Sequence, residues 1–413
     1  MTTAATAIVL AAGEGTRMRS DLPKVAHEIL GVPLIRYVVT TATEAGVSRV
    51  VVVTGHKAEE VESLVSGVTF ARQDVQHGTG HAVMCALDAL GDLTGPVVVL
   101  AGDTPLIRAE TIRELVVAQE RTGAACVLLS AMYADPAGYG RVIRDEFGRV
   151  MAIVEHKDLA PDQSGLRECN TGTYCFDGAE LSAHLHRLEN DNAQGEYYLT
   201  DMVGVFVAEG LGVEVVTADD PLETLGINSR VQLAEAAKVL QRRINEQHML
   251  AGVTMTDPGT VWIAPSVRIG RDVTLGPFTL LMGDTGIGDG CAIGPEARIA
   301  DSTLGRECVV DSSIVEDAVL GDEVRVGPRA VLRTGTSMGD RSTAETCVEI
   351  AASRIGGGAV IAPFSRLRNA EIGRDARVAA GTITCEGDGP RSATVAGDVP
   401  AIGRGPADVP EDQ

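Results

Sequence analysis

The stretch Leu10-Ala11-Ala12-Gly13-Glu14-Gly15-Thr16-Arg17-Met18, followed by Asp21-Leu22-Pro23-Lys24, comes directly after the apolar run Ala7-Ile8-Val9-Leu10. That run reads as a short buried strand, and helical periodicity is expected from residue 25 onward. A glycine-rich turn between strand and helix suits phosphate. Gly13 and Gly15 carry no Cβ, so backbone N–H groups can approach an anion, while Arg17 and Lys24 add fixed positive charge. No Gly-Lys-Ser/Thr ends the turn, so it is not a P-loop, and Met18 stands where a dinucleotide fingerprint has its third glycine. An ordinary strand-to-helix turn with solvated basic residues has the same composition, so the rest of the chain must choose between the two.

Further strands with β-branched residues are expected over 49–53 and 96–100, ending at Thr54-Gly55-His56 and Ala101-Gly102-Asp103. Helical patterns over 33–45 and 81–90 alternate with them, which points to a parallel α/β sheet with ligands at the carboxyl ends of its strands. Asp103 at such an end, beside bound phosphates, calls for a divalent cation such as Mg2+, though an Asp after a strand also serves as a helix N-cap. The amides and glycines of Gln73-x-x-Gln76-His77-Gly78-Thr79-Gly80-His81-Ala82 suit contact with a nucleobase edge. His77 and His81 would need a helix to act as paired metal ligands. Gly78 and Gly80 disfavour one, so both read as ordinary histidines. The polar clusters Gly138-Tyr139-Gly140-Arg141, Glu155-His156-Lys157, Asn170-Thr171-Gly172, the run from Asn192 to Asp201, and Gly226-Ile227-Asn228 suit either solvated loops or a sugar with several hydroxyls.

At 413 residues the chain is expected to hold two or three domains. Its 35 basic and 57 acidic residues give a net charge of −22, a field that repels nucleic acid and anionic membrane alike. Anionic substrates then need local basic pockets. No window reaches the roughly 18 apolar residues of a membrane span. The apolar start lacks a basic region and reads as a strand rather than a signal peptide, so a cytoplasmic location is expected. The eight cysteines show no C-x-x-C pair and read as reduced packing residues. Only 3% of residues are aromatic, which leaves little for base stacking.

From 229 to 250 the pattern is that of a long amphipathic linker helix, with Ser229 as its cap. Beyond it Ile263, Ile269, Leu275, Leu281, Ile287, Ile293 and Ile299 recur every six residues, usually followed by glycine or another small residue. After a slip the rhythm resumes at Ile314, Leu320, Val326, Leu332 and Met338, and again at Ile355, Ile361 and Leu367. Such a period is the signature of a parallel β-helix, each apolar residue pointing into a shared axial core. Helices of this type resemble those that pack as trimers, so a homotrimer is expected. The division expected is an α/β domain over 1–228, the linker helix over 229–250, a left-handed β-helix over 251–400 and a disordered tail over 401–413.

Together and in order, L-A-A-G-E-G-T-R-M-R-S-D-L-P-K, H-G-T-G-H-A, G-D-T-P-L, G-Y-G-R, V-E-H-K-D, N-T-G, N-A-Q-G-E-Y-Y-L-T-D and G-I-N-S-R-V-Q-L-A-E resemble a bacterial family. It is that of the bifunctional N-acetylglucosamine-1-phosphate uridyltransferase and glucosamine-1-phosphate acetyltransferase. The resemblance runs from Leu10 to about Arg333 and weakens after that. It implies a Rossmann-like α/β nucleotidyltransferase in which Leu10, Ala11, Ala12, Gly13 and Lys24 hold the nucleotide, while Gln73, Gly78 and Thr79 read the uracil. It further implies that Arg17 and Lys24 neutralise the triphosphate as the catalytic pair, and that Asp103 and Asn228 hold Mg2+. Gly140, Glu155, Asn170, Tyr198 and Thr200 would surround the amino sugar. The implied reaction is attack by a sugar-1-phosphate oxygen on the α-phosphorus of UTP, releasing pyrophosphate. One departure bears on the sugar: the family often has Tyr before Gly-Asp, and Ala101 stands there.

The acetyl-transferring half of the resemblance fails residue by residue. Pro363 stands where the family has its catalytic histidine, and proline has no titratable group. Ala351 and Ala352 replace the lysines, Arg366 replaces the tyrosine, and Glu386-Gly387-Asp388-Gly389 lacks the Asn and Tyr of the expected N-Y-D-G. Only Arg333 is retained. The expectation is therefore a monofunctional uridyltransferase making UDP-N-acetylglucosamine. A paralogue using another sugar-1-phosphate or NTP, and a non-catalytic trimeric scaffold, are the competing readings.

Overall fold

The computed structural model describes residues 5–91 and 93–384 and the backbone of 393–395. Cys385, the Glu386-Gly387-Asp388-Gly389 segment and the 401–413 tail lie outside the described residues. Contacts divide the chain into two compact units, Met1–Val239 and Leu240–Gln413.

The first unit is built on nine strands: β1 (Thr6–Ala11), β2 (Arg49–Thr54), β3 (Thr69–Arg72), β4 (Pro96–Ala101), β5 (Cys126–Met132), β6 (Arg141–Arg144), β7 (Val150–Val154), β8 (Glu168–Asp177) and β9 (Val213–Thr217). They lie in the order β9-β5-β8-β4-β1-β2-β3, with the β6–β7 hairpin branching from β8. All neighbours in that order are parallel except β8, which runs antiparallel to β4 and β5. The fold is thus the mostly parallel α/β sheet expected. The central strands read as unbroken apolar runs because both faces are buried. Ala7, Val9, Val52, Val98 and Leu100 pack with Ile35, Val38, Ile112 and Leu115 of α1 (Leu34–Glu44) and of a later helix (Ala109–Thr122). Ile8, Val51, Val53 and Val99 pack on the other face with Ala82 and Val83 of α2 (Thr79–Leu90) and with Met202 and Phe206 of α3 (Asp201–Ala208).

The helix expected from residue 25 is not there. Only a single 3-10 turn, Lys24–Ala26, follows the glycine-rich stretch, and a small hairpin then pairs Glu28–Ile29 with Val32–Pro33. The left-handed pair Leu30 and Gly31, followed by Pro33, blocks propagation, so α1 begins only at Leu34. The opposite error occurs at Gly80. Helix α2 starts at Thr79 and takes in Gly80 and His81, because a Cβ at Gly80 would lie 2.5 Å from Leu188 Cδ1 and 2.9 Å from the Tyr197 carbonyl oxygen. Close packing requires that glycine within the helix's first turn, and tertiary context overrides its low propensity.

In the second unit three stacks of eight, seven and eight short parallel strands form the left-handed β-helix. Leu275, Leu281, Ile293, Ile299, Val326, Leu332, Ile355, Ile361 and Leu367 fill the axis, all within 5% of full burial. The slip in rhythm has a local cause. Val315 is the buried residue and Ile314 only half-buried, so the inward series runs Ile299, Leu304, Val310, Val315, Leu320. One residue is dropped at each shortened corner. The glycines that follow the apolar positions form a column through Gly270, Gly288, Gly305, Gly321, Gly339 and Gly356. A Cβ on any of them would meet backbone of the next coil at 3.0 Å or less. Aspartates two positions past the apolar residues finish these corners. Asp289, Asp322 and Asp340 Oδ1 accept from the backbone N–H of Arg271, Arg306 and Asp322 in the preceding coil, at 2.7, 2.8 and 3.0 Å.

The helix Arg230–Leu250 begins with Ser229 Oγ accepting from Gln232 N at 3.3 Å, as a cap should. Among the described residues no helix is long and apolar enough to cross a membrane.

Candidate functional site

Strand register sets the geometry. Leu10 pairs with Ala101, Ala11 with Thr54, and Thr54 with Arg72, so β1 to β4 end level with one another. The residues that follow each strand, Ala12-Gly13, Gly55-His56, Gln73 and Gly102-Asp103, therefore share one edge. Gly102 closes this edge by donating its N–H to the Leu10 carbonyl at 2.9 Å, and a Cβ there would lie 2.9 Å from that oxygen.

At that edge opens a cavity of about 340 Å3 lined by Leu10, Ala11, Ala12, Gly13, Lys24, Gln73, Gln76, Gly78, Thr79, Ala101 and Asp103, among others. A Cβ on Gly13 would meet nothing within 4 Å, so the bare backbone there faces free space. Gly15 is different. It is left-handed, at φ 68°, and a Cβ would lie 2.5 Å from Lys24 Cβ, so this glycine lets the loop close over the lysine. Lys24 Nζ is ion-paired to Asp103 Oδ2. It also donates to Asn228 Oδ1 at 3.0 Å, and Arg17 donates to the same oxygen at 2.8 Å. Four residues spread over more than two hundred positions thus converge.

This cluster tests whether a divalent cation fits. Asp103 and Asn228 turn hard oxygens toward one positive group, and two cationic donors on Asn228 Oδ1 fix which end of its amide faces inward. Among the described residues no set of three or more His, Cys, Asp and Glu side chains is spaced to hold a metal. Phosphate and water oxygens would have to complete the shell of an ion held here, which is the usual state of Mg2+ at nucleotides. Among the described residues Asp103 caps no helix, and Arg108 stands at the N-cap of the helix that follows it, Ala109–Thr122.

Asn228 is reached by a strap whose importance was not legible in the chain. Buried Glu223 accepts from Thr111 Oγ1 at 2.7 Å and from Arg108 N at 3.3 Å, and Thr224 Oγ1 lies 2.6 Å from Tyr133 OH. Tyr133 stacks on Tyr139 with centroids 4.5 Å apart, and Ile227 N donates to the Asp103 carbonyl at 3.0 Å. Tyr139 could have been singled out within Gly138-Tyr139-Gly140-Arg141, but Glu223 carried no signal.

Gln73, Gln76 and Thr79 are each held by the backbone around them. Gln73 Nε2 lies 3.0 Å from the Gly78 carbonyl oxygen, Gln76 Nε2 donates to the Ala12 carbonyl at 2.6 Å, and Thr79 Oγ1 accepts from Leu199 N at 3.0 Å. Gln76 is a cavity residue that the resemblance had not supplied. Its spacing of three from Gln73 was the available signal.

Gly140, Glu155 and Asn170 lie together. Asn170 N donates to the Gly140 carbonyl at 2.9 Å, and a Cβ on Gly140 would lie 3.2 Å from Ile153 Cγ2 and 3.6 Å from Glu155 Cδ. The Thr200 hydroxyl is beside Glu155, and burial, with Asp201 and Asp158 adding, holds the Glu155 carboxyl above the usual range. The Tyr198 hydroxyl is buried with no hydrogen-bond partner among the described residues. Neutral donors and acceptors of this kind suit a hydroxylated ligand.

Behind Lys24, His27 is 3% exposed, and its Nδ1 is 3.3 Å from Arg230. Burial first and Arg230 second push its pKa below the ordinary 6.5. The folded state therefore disfavours the proton, whereas the unfolded chain takes it up below pH ~6.5, so acidification through that value is expected to lower stability. Comparing thermal melts from pH 7.5 to 5 for the wild type and His27→Gln checks this: the variant should lose part of the fall, with half-buried His248 supplying another part of the same sign.

Residues 7–166 match the model of the MobA-like NTP transferase domain. The bifunctional protein GlmU of Heliobacterium modesticaldum is 46% identical over 93% of this chain and 84% of its own length. That of Caldanaerobacter subterraneus is 44% identical over 96% and 87%, and that of Trichlorobacter lovleyi is 43% identical over the same shares.

Proposed function

Because this chain belongs to the GlmU family, we propose a division of labour in which the first unit carries the chemistry and the second only structure. The protein is a nucleotidyltransferase that makes UDP-N-acetylglucosamine and pyrophosphate from UTP and N-acetylglucosamine-1-phosphate. The observation that carries the site assignment is the convergence of Arg17, Lys24, Asp103 and Asn228 at the cavity edge.

A phosphate oxygen of the sugar-1-phosphate attacks the α-phosphorus of UTP, a new P–O bond forms, and the bond from the α-phosphorus to the bridging oxygen breaks as pyrophosphate leaves. Lys24 and Arg17 neutralise the charge gathering on the phosphates, and the backbone of Leu10, Ala11, Ala12 and Gly13 cradles the nucleotide. A divalent cation, proposed to be Mg2+ and held by Asp103 and Asn228, supplies further charge neutralisation when bound. Gln73, Gly78 and Thr79 read the uracil, while Gly140, Glu155, Asn170, Tyr198 and Thr200 hold the amino sugar. Pyrophosphate release with UTP, Mg2+ and a panel of sugar-1-phosphates tests this reading. It fails if UTP is not taken up, and a better acceptor than N-acetylglucosamine-1-phosphate would favour a different sugar, for which Ala101 in the cavity wall leaves room.

Acetyl transfer is proposed to be lost. The retained Arg333 is committed to a ladder of charges on the β-helix surface: Glu316 at 3.9 Å and Glu349 at 3.2 Å flank it, and Arg366 lies 3.4 Å from Glu349. Half-exposed pairs of this kind contribute little stability, but they give the arginine a place on the β-helix surface that needs no sugar phosphate. Incubation with acetyl-CoA and glucosamine-1-phosphate is expected to give no thiol release. Release abolished by a substitution in the β-helix would overturn the proposal. The domain limits 1–228, 229–250 and 251–400, a homotrimer assembled through the β-helix and a cytoplasmic location complete the reading; sedimentation would test the trimer.

A further inference from the structure

Gln73 is a buried side chain, 4% exposed, in the wall of the nucleotide cavity, and its partners decide which end of the amide a ligand meets. Nε2 lies 3.0 Å from the Gly78 carbonyl oxygen and 3.0 Å from His81 Nδ1. A carbonyl oxygen only accepts, so the amide atom facing it must be the NH2 group. The second amide hydrogen is then directed at His81 Nδ1, which has to offer a lone pair. The ring hydrogen of His81 consequently sits on Nε2, where Cys85 Sγ lies at 3.8 Å as a weak acceptor. Both amide hydrogens are used, so the polar group Gln73 has left for the cavity is Oε1.

The backbone makes this arrangement stiff. Gln73 N donates to the Thr54 carbonyl at 2.8 Å, and His81 stands in the first turn of α2, whose Ala82 N donates to the Gly78 carbonyl at 3.2 Å. His81 therefore cannot shift far without moving the Gly78 carbonyl as well.

We propose that neutral His81 is a positioning residue for base selection: by accepting from Gln73 it presents Oε1 to the nucleobase as a fixed acceptor. A fixed acceptor takes a base with a ring N–H on its pairing edge, as uracil has, and leaves a lone pair facing a lone pair when the base is cytosine. Uridine and cytidine triphosphates differ at that edge and share the same phosphates, so the discrimination is independent of Arg17, Lys24 and Asp103. The inference rests on the reading of the first unit as a UTP-using transferase.

The test compares kcat/KM for UTP and CTP in the wild type, His81→Asn and His81→Leu, with the dissociation constants of both nucleotides measured by calorimetry. Asn places Oδ1 near the position of Nδ1 and keeps the acceptor, whereas Leu removes it. His81→Leu is expected to lower the UTP-to-CTP ratio about tenfold, and His81→Asn to keep it close to the wild-type value. The proposal is overturned if the Leu variant keeps the wild-type ratio, if it loses UTP and CTP equally, or if Asn falls as far as Leu. A wild type that uses UTP and CTP alike also overturns it. A wild type that releases pyrophosphate from neither nucleotide defeats the underlying reading instead, which is a distinct result.

Discussion

Asp103→Ala is expected to lower kcat for uridyl transfer about 10³-fold, the scale on which single charge-stabilising groups act at preorganised phosphoryl sites. Asp103 is the one carboxylate in the Arg17, Lys24, Asp103 and Asn228 cluster, and its removal has two consequences. The hard-oxygen pair is reduced to a neutral amide, which weakens the hold on a divalent cation. Lys24 also loses its ion-pair partner, so the ammonium that should meet the triphosphate is held by Asn228 Oδ1 alone. Asp103→Asn keeps the shape and one neutral oxygen and is expected to lose less, about 10²-fold. Stability should change little, because a buried-edge ion pair that loses its anion leaves a flexible lysine that can reach water. Steady-state pyrophosphate release at saturating substrates, repeated over a titration of Mg2+, checks the prediction. The half-saturating metal concentration should rise in both variants, and wild-type turnover in Asp103→Ala would remove the site assignment altogether.

What could be read from the chain was whatever a short motif fixes by itself. The strand before Leu10, the turn after it and the position of Asp103 at a strand end follow from local pattern, and strand register then aligns these ends without further information. Two local rules failed where packing dominates. A helical period from residue 25 was cut by the left-handed pair Leu30 and Gly31, while Gly80, a poor helix former, was held in a helix by Leu188 and Tyr197. Ile314 was assigned to the β-helix axis because a strict count of six overlooks shortened corners, and burial shows Val315 there instead. The strap from Glu223 to Asn228 stayed hidden because its holding contacts, Glu223 with Thr111 and Thr224 with Tyr133, join residues about a hundred positions apart. Likewise His81 revealed nothing until its distance to Gln73 was known.

Gly305→Ala is expected to destabilise the β-helix by about 3 kcal/mol while leaving uridyl transfer intact. Gly305 has an ordinary backbone conformation, so the cost comes from contact alone. A methyl group there would lie 2.6 Å from the carbonyl carbon and oxygen of Gly321 and 2.6 Å from Asp322 Oδ1, too close by most of an ångström. Backbone of the next coil cannot swing aside as a side chain would, because Gly305 N donates to the Leu320 carbonyl and Asp322 Oδ1 receives the Arg306 N–H. Relieving the clash means separating two coils, and in a stacked architecture that interface is the main nearest-neighbour contribution to stability. Gly286 provides the control: a methyl group there meets nothing within 4 Å, so Gly286→Ala should stay within about 0.5 kcal/mol of the wild type. The single tryptophan, Trp262, lies in the β-helix, so its fluorescence during urea unfolding reports the second unit directly. Pyrophosphate release in the absence of urea reports the first. A lowered midpoint with unchanged turnover is the expected pair of results. Lost turnover in Gly305→Ala, with Gly286→Ala unaffected, would mean that the second unit takes part in the chemistry and would end the division of labour proposed above.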